Sequence, residues 1–204
     1  MPLHDWAGVP PGDYLDFRGA WLIGIKVALN DGLLPPDYFA LVVPTIPPGG
    51  NTVGRWRVEI QRARDRHLIA VIELVSPGNK ASKSAFADLV GKSVQLLRQG
   101  VHVVLIDPFP PTARDPKGIH AVVWNELTDK PFTPPSGKPL TLASYAALGG
   151  NTFTAHVDPL AVGDRLPDVR LFLTDEYFVP TPLEATYAAA WKGFPAMLRA
   201  VVER

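Results

Sequence analysis

The stretch from Leu68 to Pro108 constrains this chain most. It reads LIAVIELVSPGNKASKSAFADLVGKSVQLLRQGVHVVLIDP: an apolar run, a polar break, a helical pattern and a second apolar run. Leu68 to Val75 is aliphatic at every position except Glu73. A run that is apolar on both alternating faces predicts a central strand covered on both sides. Ser76-Pro77-Gly78-Asn79-Lys80 predicts a tight loop whose amides can face an anion beside a helix N-terminus. From Ser82 to Gly100, the residues Phe86, Leu89, Val90, Leu96 and Leu97 share one helical face, with Lys92 on its shoulder. Val101 to Ile106 predicts the second covered strand, ended by Asp107-Pro108. A strand, helix and strand of this length form a crossover unit, right-handed when the strands are parallel. Glu73 is the anomaly, because a carboxylate in a covered strand is costly unless paired, protonated or metal-bound.

The flanking segments supply more of a sheet and its covering helices. Tyr14 to Asn30 places Tyr14, Phe17, Trp21 and Ile25 at helical spacing, with Asp13 to cap it and Asp31-Gly32 to close it. Tyr38 to Val43 predicts a short strand, and Pro44 to Gly54 a turn. Arg55 to Arg64 alternates Trp56, Val58 and Ile60 against Arg57, Glu59 and Gln61, a strand with one wet face. Asp65-Arg66 turns it back into Leu68–Val75 as an antiparallel hairpin. Downstream, Asp115-Pro116 predicts a cap and first helical proline, and Ile119 to Leu127 a short helix. Leu140 to Ala147 fits neither period. Thr152 to Val157 alternates like an edge strand, and Val169 to Leu173 predicts another. Thr181-Pro182 opens a final helix through Trp191, with a last turn from Pro195 to Val202. The expectation is one α/β domain with a mixed central sheet flanked by helices. Its core covers about residues 13–108, and an extension, 109–204, packs on it.

Composition removes several function classes. Lysine plus arginine number 20 and aspartate plus glutamate 20, so no global basic field advertises nucleic acid. There is no cysteine, which excludes disulfides and zinc-cysteine sites and suits a reducing cytoplasm. The opening MPLHDWAGVPPGDY lacks the basic start and apolar core of a signal peptide. No apolar run approaches the ~20 residues that span a bilayer, so no membrane is expected. The histidines show no ligand spacing, and no phosphate-binding or nucleophile-elbow motif occurs.

The candidates for chemistry are therefore Glu73, the loop residues Ser76, Asn79 and Lys80, and Lys92. Each has an ordinary explanation beside the functional one. Glu73 would be neutralised by Arg57 or Arg62, Glu59 would serve solubility, and Asp107 would cap a turn. Trp21, Trp56, Trp124 and Trp191 fall on amphipathic faces and read as core.

The segments Val71–Lys80 (VIELVSPGNK) and Gly100–Asp107 (GVHVVLID), with Lys92 between them, resemble an uncharacterised bacterial family, the domain of unknown function numbered four-zero-five-eight. The likeness extends through Pro2–Trp6, Leu34–Tyr38, Arg114–His120, Pro139–Leu142 and Pro180–Tyr187, nearly the whole chain. The same elements are similar to restriction-type endonucleases of the PD-(D/E)xK superfamily, in a branch where a strand Glu precedes Ser-Pro. That core runs helix, three-stranded meander, helix, strand, the order read here from Tyr14 to Ile106. The resemblance implies a restriction-endonuclease-like fold, Mg²⁺ as cofactor, DNA as partner and a homodimer, the common assembly of that class. In such a site acids hold Mg²⁺ to activate water, and a lysine steadies the developing charge. Carried over, Glu73 is the second acid. Lys92, or Lys80, is the cation facing the phosphate, and Asn79 and Ser76 organise the loop. Val75 stands where the usual lysine falls. The first acid normally comes from a Pro-Asp strand, but Pro-Asp occurs here only at Pro36-Asp37 and Pro167-Asp168. Asp37 or Glu59 would have to replace it, with Glu59 as the second metal ligand. Without a replacement, the fold serves as a binding or assembly module that does not cut.

Overall fold

The computed structural model describes residues 1–45 and 56–203. Most of the turn expected over Pro44–Gly54, and Arg55 at the start of the next expected strand, lie outside the described residues. The chain is α/β, with a six-stranded mixed sheet flanked by helices. Helix α1 (Pro11–Ala28) enters through a proline in its first turn and ends in one π-helical turn, Leu29–Leu33. Gly32 takes φ +90° there, as the Asp31-Gly32 stop signal implied. Strands β1 (Tyr38–Pro44), β2 (Trp56–Arg62) and β3 (Leu68–Leu74) form an antiparallel meander. A single turn of helix, α2 (Pro77–Lys80), replaces the loop expected after β3. Ser82 caps α3 (Lys83–Arg98) by accepting from the Ala85 amide at 3.1 Å. Strand β4 (His102–Asp107) then pairs with β3 in parallel, completing the crossover.

The segment after residue 108 does not merely pack on this core; it widens the sheet. After helix α4 (Ile119–Leu127), strand β5 (Leu140–Ala147) pairs antiparallel with β4, and β6 (Phe153–Leu160) forms the far edge. The strand order is therefore β1-β2-β3-β4-β5-β6. A hairpin of β7 (Val169–Phe172) and β8 (Phe178–Thr181) follows, then α5 (Leu183–Gly193) and α6 (Ala196–Val202).

Both faces of the sheet are covered, which is why its central strands are apolar at nearly every position. Ala70, Ile72, Leu74, Val104, Ile106 and Leu142 face α1, α5 and the β7–β8 hairpin. Val71, Val75, Val103, Leu105, Ala143 and Tyr145 face α3 and α4. The first layer is closed by aromatic rings far apart in sequence: Trp6, Phe17, Trp21, Tyr187, Trp191 and Phe194. Trp6 stacks on Phe17 with ring centroids 4.5 Å apart, and Trp21 meets Tyr187 edge-on at 4.9 Å. Each such ring adds about 1.5–3 kcal/mol through its buried apolar area. Trp56 departs from the core reading, being 42% exposed at the start of β2. Among the described residues, no helix is long and apolar enough to cross a membrane.

Candidate functional site

Alternation along β3 puts Glu73 on the α3 side, between the positions of Val71 and Val75. The partner of its carboxylate comes from the opposite layer. Arg18 sits in the apolar stripe of α1, four residues after Tyr14 and three before Trp21, and is 2% exposed. Its guanidinium donates to the carbonyl oxygens of Leu74 at 2.8 Å and Trp56 at 2.6 Å, where β3 ends and β2 begins. Its Nη2 also lies 3.3 Å from Glu73 Oε1. The arginine thus satisfies two strand-end carbonyls and neutralises the strand carboxylate together. Neither Arg57 nor Arg62, the partners expected from sequence, makes that bond. Arg57 instead holds Glu59 through Nε at 3.0 Å and Nη2 at 2.6 Å, and Gln61 donates to the other Glu59 oxygen at 3.1 Å. Arg62 binds Asp65, whose carboxyl is held well below the usual carboxylate range by that bond.

Around Glu73 lies a narrow cleft with free space of about 30 Å³, on the order of one water molecule. Its polar walls include Arg18, Arg57, Glu73, Asn79, Asp88 and Lys92. The structure therefore brings together Glu73, Lys92, Asn79 and Ser76, as the sequence pattern implied. Asn79 is the organiser of the turn: its Oδ1 accepts from the Ser76 amide at 2.9 Å and the Ser76 hydroxyl at 2.8 Å. The Asn79 backbone amide donates back to the Ser76 carbonyl at 2.9 Å, and this reciprocal bonding fixes α2 and the exit of β3.

Two expected members are placed elsewhere. Glu59 shares the face but does not line the cleft, its oxygens occupied by Arg57 and Gln61. Lys80 leaves the cleft altogether. It is 6% exposed, with Nζ 2.7 Å from Asp107 Oδ2 and 2.8 Å from Asp115 Oδ2, and it also donates to the Pro110 carbonyl. A lysine buried between two carboxylates is spent on them and cannot face a phosphate. Asp115, read as a helix cap, is instead fully buried and accepts from Thr112 as well as Lys80, while α4 starts from Gly118. Asp107 does close its turn, accepting from the Phe109 amide at 3.2 Å. Burial pushes its carboxyl up to about 6 against the pull of Lys80 and the Phe109 amide, and the neighbouring Asp115 charge adds a smaller push in the same direction. Asp37, the other substitute considered for the first acid, lies before β1 and is not among the cleft residues.

Two cleft residues went unread in the sequence. Asp88 precedes Lys92 by four positions on α3, a spacing that places both on one helical face. Arg18 was marked by being the one charge inside α1's apolar stripe. Among the described residues, no group of three or more His, Asp and Glu side chains is arranged to hold a metal ion. The chain matches no family model, no curated protein and no solved structure.

Proposed function

We propose that this chain is a restriction-endonuclease-like domain working as a binding or assembly module rather than as a nuclease. The order of α1, the β1–β3 meander, α3 and the parallel β4 supports the fold assignment. The observation that carries the functional reading is the Arg18–Glu73 pair. A guanidinium buried against the one carboxylate of β3 does the neutralising that a metal ion would otherwise do. With Arg18 and Arg57 both lining the cleft, the donor set does not fit Mg²⁺, which needs anionic oxygen donors and is repelled by adjacent cations.

A second reading, an Mg²⁺-dependent endonuclease acting on DNA, is favoured by Asp88. It gives the cleft two carboxylates and the Lys92 ammonium. One experiment separates the two. Supercoiled plasmid and single-stranded DNA are incubated with Mg²⁺ or Mn²⁺ and the wild-type chain, beside Glu73→Gln and Asp88→Asn. The module reading expects no cutting by folded wild type, with all three proteins alike. Metal-dependent cutting that both substitutions abolish would overturn it and establish the endonuclease.

A further inference from the structure

Helix α3 has two working sides. Asp88 and Lys92 turn toward the cleft, whereas Ala87, Gly91 and Gln95 open onto a separate groove shared with α4. That groove has a volume of about 920 Å³. Its floor is apolar, made by Phe86, Val90 and Val94 of α3 and Val122 of α4. Ala87 and Gly91 keep it open: a Cβ added at Gly91 would meet nothing within 4 Å. Lining residues run from Lys83 to Gln99, a length of about 24 Å at the helical rise. A helix about 10 Å across and of that length, sunk to half its depth, displaces roughly 900 Å³. The groove is the size of one docked helix of four turns.

Charge selects the occupant. Lys83, Arg98 and Arg114 are exposed at the rim, and Glu126 is the one carboxylate among the lining residues. Arg114 is anchored by donating to the Lys80 carbonyl at 3.0 Å, and Arg98 by donating to the Glu126 carbonyl at 3.1 Å. Their charges are therefore held at the groove rather than spread into solvent. A second copy is a poor fit. Two grooves face to face would bring these cations together. The chain's own exposed apolar ridges are also too short for a four-turn groove: Ile23 with Val27 and Met197 with Val201 are each one helical turn, with mixed charge beside them, Lys26 and Asp31, Arg199 and Glu203.

We infer that the α3–α4 groove docks an amphipathic helix of a partner protein, apolar on one side and flanked by aspartate and glutamate. The assignment does not depend on whether the Glu73 cleft cleaves anything.

The test is selection from a displayed library of 16-residue helices with a fixed apolar stripe and randomised flanking positions, against the full chain. The winning peptide is then titrated by fluorescence anisotropy against wild type, Gly91→Phe and the pair Lys83→Glu with Arg98→Glu. The expected winners are rich in Asp and Glu. Gly91→Phe, which fills the groove, should weaken binding at least about tenfold, and the charge pair should do the same while favouring Lys-rich helices. Circular dichroism confirms that the variants are folded, and the exposed charge pair remains decisive if Gly91→Phe is not. Neutral or basic winners, or acidic winners indifferent to folded variants, would overturn the assignment. So would wild-type dimerisation that the charge pair strengthens, since that makes a second copy the occupant.

Discussion

Lysine 80 is the side chain whose removal this fold should tolerate least. Its ammonium is the only cation contacting both Asp107 and Asp115 among the described residues, and both acids are at most 2% exposed. Lys80→Met keeps the stem length and deletes the charge, so two carboxylates are left buried against each other. Breaking a buried pair from one side costs about 3–5 kcal/mol, a large share of the ~5–15 kcal/mol that holds a domain together. The pH dependence gives the sharper check. Asp107 moves from its ordinary value of 3.8 to about 6 on folding. The folded state then holds the proton more tightly than the unfolded state. Asp107's contribution to stability is therefore fullest below about pH 4 and is lost as pH rises through about 6, a change of about 3 kcal/mol. Asp107→Asn removes this slope and leaves Lys80 paired with Asp115 alone, so it should cost little at pH 7.5. In Lys80→Met the downward pull on Asp107 is gone, so it takes its proton at a pH above 6; the variant should be worst on the alkaline side and partly recover at pH 5. Urea unfolding followed by tryptophan fluorescence at pH 5 and 7.5 reads all three proteins, with the m-value checking that the unfolding unit is unchanged. A loss under about 1 kcal/mol for Lys80→Met at pH 7.5, or an undiminished slope in Asp107→Asn, would refute this reasoning.

Arg18→Leu should lower stability by about 3–5 kcal/mol, because it strands the Leu74 and Trp56 carbonyls and takes the guanidinium from Glu73; thermal melting would show it. Tyr187→Phe should cost about 2–3 kcal/mol, read by the same melt. The Tyr187 hydroxyl accepts from Trp6 Nε1 at 3.1 Å and the His4 amide at 3.2 Å, which leaves its own hydrogen for His4 Nδ1 at 2.7 Å. Gly118→Ala should destabilise by about 1–3 kcal/mol in denaturant titration. The backbone there has φ +81°, and a Cβ would sit 2.9 Å from Thr141 Oγ1.

The elements with a clear period were legible in the sequence. Ile119–Leu127 is a helix over the residues expected, and Ser82 caps α3 as its position suggested. Strand β5 was not legible. LTLASYAA mixes small polar with apolar residues and alternates poorly, yet all eight positions are buried because the sheet is covered on both faces there. Thr141 and Ser144 are affordable inside only because the chain packs helix and hairpin over them, which no local pattern announces. The candidate cleft was half visible. Glu73 stood out as an acid among aliphatics, and Asn79 and Lys92 by their place after it. The departures came from long-range pairing. Lys80 meets an aspartate 35 residues on, and Arg18 crosses the sheet end to reach Glu73, 55 residues away. Sequence identifies charges that need partners; which partner arrives depends on how the layers stack.

The aromatic layer over α1 sets a schedule for the molecule's birth. Trp6, Phe17 and Trp21 are covered by Tyr187, Trp191 and Phe194, and Leu3 is bonded to Asp164 and Gly163. At ~5–20 residues per second, a ribosome delivers α5 on the order of ten to thirty seconds after α1. Once β1–β4 are made the sheet covers one side of α1, but the side bearing Trp6, Phe17 and Trp21 waits for α5 until the end of that interval. The nascent chain therefore needs shielding over α1, and a product stalled before α5 exposes those rings to chaperones and proteases first.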